Sequence, residues 1–304
     1  MKNIFQIWGT ILTLIWILSF FGVACGETVT ENNSTTYAGP YLGQHPPGDS
    51  AVLFAPELFV RENESHDTPY FTPEGKKMLW GAIMPDLMAG ACMEMNDDGV
   101  WSEIMAPCRG GGSILRPDGN RLYFHQFEAP PGVKFPDKQG REFMWYADKV
   151  GDEWSESKPV DSVVNKYSMH WQFGVAANDN LYFSVGGNLC CAEYANGRHL
   201  EQQPLLGKNN KNIPGGLPYI APDESYIIYA ILNDRRLGDL FISFKTEDET
   251  WTDGQRLGGG INTEASELCP KVTPDGKYLF YIGDGAGFFR PFWINMSIIH
   301  ALKP

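Results

Sequence analysis

One short phrase recurs five times along this chain, and no other feature restricts the available folds as much. It reads Thr72-Pro73-Glu74-Gly75-Lys76, Arg116-Pro117-Asp118-Gly119-Asn120, a worn copy at Ala177-Asn178-Asp179-Asn180, Ala221-Pro222-Asp223-Glu224-Ser225, and Thr273-Pro274-Asp275-Gly276-Lys277. Proline presets φ for a tight turn, Asp can hydrogen-bond its own backbone, and Gly reaches positive φ without strain. Each copy is flanked by runs that suit strands. Upstream lie Pro69-Tyr70-Phe71, Ser113-Ile114-Leu115, Phe173-Gly174-Val175, Pro218-Tyr219-Ile220 and Pro270-Lys271-Val272; downstream lie apolar runs such as Leu122-Tyr123-Phe124 and Leu279-Phe280-Tyr281. A spacing of roughly 45–60 residues belongs to a unit that cannot bury its own apolar face and must stack on its copies.

A second, weaker phrase falls between the copies, as in Asp97-Asp98-Gly99-Val100-Trp101 and Asp152-Glu153-Trp154-Ser155. It also follows short apolar runs and reads as another hairpin turn. Two hairpins per repeat supply four strands, the content of one propeller blade. The expected fold is all-β: one β-propeller of four-stranded antiparallel blades over residues 49–304. Five copies imply five blades. A sixth remains open, because the step from Pro117 to Asn178 is long, although Glu128 to Gly140 reads as a loop. Ala51-Val52-Leu53-Phe54 supplies the strand missing from the last blade and closes the ring, which removes exposed sheet edges.

The phrase at Pro274-Asp275-Gly276-Lys277-Tyr278-Leu279-Phe280-Tyr281 resembles the TolB-type (WD-repeat-like) β-propeller repeat of bacterial envelope proteins, as do Gly238-Asp239-Leu240-Phe241 and Trp154-Ser155-Glu156. The resemblance spans about residues 40–304. It implies the propeller fold and an exported protein but leaves function open, since the family includes scaffolds and uncharacterised members. The third copy lacks both Pro and Gly, the fourth has Glu224-Ser225 in place of Gly-Lys, and the Asp before the third strand survives only at Asp239.

The N-terminus is separate. Met1-Lys2-Asn3, an apolar run from Ile4 to Val23 and then Ala24-Cys25 form an export signal. Gly22-Val23-Ala24-Cys25 resembles a lipoprotein signal, which implies acylation of Cys25, removal of residues 1–24 and an anchor on a bacterial membrane facing the periplasm or the cell surface. An uncleaved anchor or plain secretion are the alternatives. Residues 25–48 are polar and turn-rich and read as a tether. The remaining cysteines, Cys92, Cys108, Cys190, Cys191 and Cys269, match no zinc spacing and read as small buried hydrophobes, with a Cys92–Cys108 bridge left open. A net charge of −13 excludes a nucleic-acid surface, which would need basic patches. A monomer is expected.

If the tight turns share one face of the ring, the irregular connections share the other, and loops are where binding residues collect. The candidate ligand-binding residues there are His66, Asp67, Arg109, His170, Trp171, Gln172, Asp234, Arg235, Glu267 and Arg290. Two functions compete for this mouth. One is a non-catalytic envelope module that binds a protein, peptide or glycan. The other is a glycoside hydrolase using two carboxylates from Asp67, Glu264, Glu267 and Asp284. Neither Gly-x-Ser-x-Gly nor His-Glu-x-x-His occurs, which removes the motifs of serine hydrolases and zinc proteases. No cofactor is expected beyond a structural calcium ion on channel carboxylates as an alternative.

Overall fold

Five antiparallel sheets repeat along the chain, each entered by one of the five short strands named above. The computed structural model describes residues 36–304 except 62, 85–86, 109–112, 127–128, 132–141, 152, 168–171, 209, 236, 259 and 286. Residues Tyr37–Lys134 and Arg141–Pro304 belong to one compact unit. Blade 1 runs Ser65–His66 with Tyr70–Phe71, then Lys77–Met84, Leu87–Glu94 and Met105–Cys108. Blade 2 comprises Ile114–Leu115, Arg121–Gln126 and Phe143–Val150, with Glu153–Trp154 and Lys158–Pro159 on its outer side. Gln126 pairs directly with Phe143, so the long step sits inside this blade as a connection and there is no sixth blade. Blade 3 comprises Gly174–Val175, Leu181–Val185, Asn188–Ala192 and Gln203–Pro204; blade 4 comprises Gly216–Ile220, Tyr226–Leu232, Gly238–Phe244 and Gln255–Arg256. Blade 5 takes Glu267–Val272, Tyr278–Gly285 and Phe288–Asn295 from the C-terminal end and Val52–Leu53 from the N-terminal end. Val52 lies opposite Trp293 and Leu53 opposite Phe292, which is the predicted ring closure.

The recurring phrase forms the same turn each time. A backbone N–H returns to the carbonyl three residues earlier, from Gly75 to Thr72, Gly119 to Arg116, Asp179 to Ala176, Glu224 to Ala221 and Gly276 to Thr273, at 2.8–3.1 Å. The donor has positive φ in every copy, from 61° at Glu224 to 74° at Gly119. Two copies therefore place a side chain where only glycine is unstrained. Both side chains reach back to the preceding blade. The Asp179 carboxylate accepts from the Tyr123 hydroxyl at 2.9 Å and pairs with Arg116 at 3.1 Å. Glu224 accepts from Asn180 Nδ2 at 2.7 Å and the Tyr182 hydroxyl at 2.8 Å. Losing the glycine converts the turn into a clamp between blades.

Apolar side chains fill the seams between blades. Tyr123, Met144, Phe173 and Phe183 join blades 2 and 3; Tyr182, Leu189, Ile220, Tyr229 and Trp251 join 3 and 4; Ile228, Leu240, Leu279 and Ile294 join 4 and 5. The seam between blades 5 and 1 is filled by Phe71, Trp80, Phe280 and Trp293 together with Leu42, Phe54 and Phe59 from the N-terminal segment. Part of the stretch expected to be a tether is thus docked. Gly39 donates to the Gly99 carbonyl at 2.7 Å, and the Trp101 indole donates to Gly39 at 2.8 Å. The apolar Tyr41 and Leu42 make this segment stick, a signal hidden among its polar neighbours.

Cys92 is disulfide-bonded, which corrects its reading as a small buried hydrophobe; Cys190, Cys191 and Cys269 are free and buried, as that reading expects. Among the described residues no helix is long and apolar enough to cross a membrane.

Candidate functional site

The first strands of all five blades surround one cavity of about 80 Å³. Its wall is built from the middle residue of each upstream triplet: Tyr70, Ile114, Gly174, Tyr219 and Lys271. Strand alternation explains this in blade 3, where Phe173 and Val175 pack into the seam and Gly174 between them faces the ring axis. Blade 3 must contribute glycine here, because a Cβ on Gly174 would lie 2.9 Å from Ile220 Cγ2 and 3.0 Å from the Ile220 nitrogen. The rim consists of the turn prolines Pro73, Pro117, Pro222 and Pro274. Pro73, Pro222 and Pro274 are exposed, Tyr70, Ile114 and Tyr219 half-buried, and Lys271 and Gln172 buried. The cavity is therefore a funnel that opens at the tight-turn end of the channel and narrows toward the irregular end. Burial pushes the Tyr70 and Tyr219 phenols well above their ordinary range, so both stay neutral.

The funnel floor is polar. Gln172 Nε2 donates to the carbonyls of Pro270 at 2.7 Å, Pro218 at 3.2 Å and Leu217 at 3.3 Å, tying blade 3 to blades 4 and 5. The Thr68 hydroxyl donates to the Cys269 carbonyl at 2.6 Å, and Lys271 Nζ donates to the Thr68 carbonyl at 2.7 Å, tying blade 5 to blade 1. Lys271 Nζ also lies 3.4 Å from Asp67 Oδ2. The acceptors come from irregular backbone. Register shifts at Gly216/Tyr219 and Leu268/Lys271, with Leu217 and Cys269 both at φ 53°, release carbonyls that a regular ladder would use. A belt of hydrogen bonds thus crosses the channel below the funnel.

The predicted site residues divide accordingly. Gln172 and Asp67 are in this belt. Arg290 is buried; its guanidinium donates to the carbonyls of Glu64, Phe289 and Arg61, the last at 2.7 Å, so it latches the chain entering blade 1 onto blade 5. His66 is buried against Phe59, with ring centroids 5.1 Å apart. Its Nε2 is 3.5 Å from Glu64 Oε2, and burial, followed by the charges of Arg290 and Arg61, pushes its pKa down to about 4. Glu267 is buried and accepts from the Thr263 amide at 3.1 Å and hydroxyl at 2.6 Å. Asp284 Oδ1 accepts from the Gly287 amide at 2.8 Å and shapes its own turn. Glu264, Asp234 and Arg235 are exposed. Arg109, His170, Trp171 and Cys25 lie outside the described residues. Among the described residues no group of three or more His, Cys, Asp or Glu side chains could hold a metal ion.

Loop reasoning overlooked Tyr70, Ile114, Tyr219 and Lys271 because they lie inside strands. Their signal was the central position of the triplet before each turn.

No protein-family model and no curated protein matches the sequence. Among solved structures, the chain is similar to TolB from Acinetobacter baumannii at 14% identity and a TM-score of 0.47, over 76% of this chain and 54% of that one. It is also similar to a putative TolB from Agrobacterium tumefaciens at 11% identity and 0.42, over 77% and 78%. A GH43 glycoside hydrolase with endo-xylanase and exo-arabinofuranosidase activity matches at 13% identity and 0.46, over 80% and 51%. The matched region spans about half the length of the Acinetobacter protein.

Proposed function

We propose that this chain is a non-catalytic binding module of the bacterial cell envelope, which takes a protein or peptide segment into the funnel at the tight-turn end of its channel. One observation carries the proposal: five blades converge on a funnel with apolar and tyrosine walls, a proline rim and a polar floor. Binding sites have this form, concave and mostly apolar with a few convergent polar groups. Proline rims and half-buried tyrosines lose little side-chain entropy on binding. Export is supported by the N-terminal signal and by the disulfide at Cys92, since disulfides persist in oxidising compartments. The anchor would be an acylated Cys25.

A glycoside hydrolase requires two carboxylates facing one bond, one of them kept protonated. Asp67 instead faces Lys271, Glu267 holds Thr263 and Asp284 holds Gly287. Immobilised mature protein and its Tyr70→Ala/Tyr219→Ala variant should be compared in capture from solubilised envelope. A partner retained by the wild type and lost by the variant is expected. Equal capture by both, or glycan hydrolysis abolished by Asp67→Asn, would overturn the proposal.

A further inference from the structure

The funnel floor contains a polar atom with nothing to bind. Gln172 is 5% exposed, lines the cavity and spends its Nε2 on three carbonyls, yet its Oε1 is buried without a hydrogen-bond partner. A buried acceptor left unpaired is destabilising, so a group that donates to it recovers that penalty on binding. Lys271, also 5% exposed, lines the same cavity and supplies its cation. Its ammonium has three N–H donors, of which two are committed, to the Thr68 carbonyl at 2.7 Å and to Asp67 Oδ2 at 3.4 Å, leaving one.

That pairing selects the ligand's chemistry. A carboxylate could accept from Lys271 but would meet Gln172 Oε1 and Asp67 with like polarity. An ammonium would suit Gln172 but meet Lys271. A neutral hydroxyl satisfies both, donating to Gln172 Oε1 and accepting from Lys271 Nζ. Above the floor, Tyr70, Tyr219 and the proline rim offer flat apolar surfaces that suit a planar ring. We infer that the funnel binds a phenol-tipped group, ring against the tyrosines and hydroxyl on Gln172 and Lys271. The source is either a tyrosyl side chain of a partner or a free phenolic molecule. The assignment rests on the turn-end funnel being the binding site, and it adds the identity of the group that enters.

The test titrates the mature protein with 4-methylphenol, 4-methylanisole, p-xylene and 4-methylbenzoate, followed by amide chemical shifts. The phenol should bind at least about tenfold more tightly than the other three, since a site built around a hydrogen bond rejects analogues that cannot make it. Gln172→Met should abolish that preference; if it fails to fold, the ligand series on the wild type decides alone. N-acetyl-tyrosinamide and N-acetyl-phenylalaninamide separate the two sources. Preference for the tyrosyl compound assigns a partner side chain, whereas binding of 4-methylphenol without either amide assigns a free phenol. Equal or tighter binding of p-xylene or of the benzoate, or no binding by any of the probes, overturns the inference. Partner capture that depends on Tyr70 and Tyr219 would still stand in that case, so the two failures are distinguishable.

Discussion

The two ends of the channel differ in how their polar atoms are used. At the irregular end several candidate groups hold the ring together, Arg290 on backbone carbonyls, Glu267 on Thr263 and Lys271 on Thr68, while the buried ring nitrogens of His66 make no hydrogen bond. At the tight-turn end the walls are half-exposed and apolar, and Gln172 Oε1 at their base is unpaired. Irregular loops are therefore not equivalent to a binding site. Here, among the described residues, irregular backbone closes the ring and crosses the channel, while the repetitive turns frame its opening.

Substitutions can break this contrast, and the largest effects should come from the hydrogen-bonded belt and the latch at Arg290. Gln172→Ala leaves three inward carbonyls without their donor and should cost about 2–4 kcal/mol, lowering Tm by roughly 5–15 °C. Arg290→Ala removes the latch between blades 5 and 1 and should cost a similar amount, about 2–4 kcal/mol, read by chemical denaturation. A loss below 1 kcal/mol in either would show that the belt or the latch is dispensable.

His66 gives the contrast a pH signature. Its folded pKa of about 4 lies below the ordinary value of 6.5, so the unfolded chain takes up the proton first. Stability is fully present above pH 6.5 and falls as the pH drops from there toward 4, by about 3 kcal/mol in total. His66→Phe should flatten that part of the profile. An unchanged slope would place the proton uptake elsewhere.

Asp179→Ala is next, because it strands Arg116 and the Tyr123 hydroxyl between blades 2 and 3. It should cost about 2 kcal/mol, and Asp179→Gly should recover part of that by relieving the positive φ. At the open end the main effect is on capture. Tyr219→Ala removes ring packing on Tyr226 and on the core between blades 4 and 5 and should cost about 2 kcal/mol, while reducing partner capture at least tenfold.

How far the fold could be read from residues follows the range of the interactions. The turns are local, set within four residues, and all five formed where the Pro-Asp-Gly phrase or its worn copies stand. Ring closure by Val52–Leu53 was also legible, because the last repeat is one strand short and that segment is apolar. The belt was not. Gln172 and Pro270 are 98 residues apart, and their contact exists only once the ring has closed. The clamps at Asp179 and Glu224 were visible only as defects in the repeat, and their partners were not. The funnel wall was not legible for a related reason: the central residue of each first strand carries it, and no loop irregularity marks those positions.

The central claim is that partners enter from the turn end, and in-cell photo-cross-linking tests it most directly. A photoreactive side chain at Pro73 or Pro274, both exposed on the funnel rim, is compared with one at Glu264 or Asp234, exposed at the other end. Adducts at Pro73 and Pro274 that disappear in the Tyr70→Ala/Tyr219→Ala background, with none at Glu264 or Asp234, are predicted. Adducts confined to Glu264 and Asp234 would contradict it and return the site to the irregular mouth.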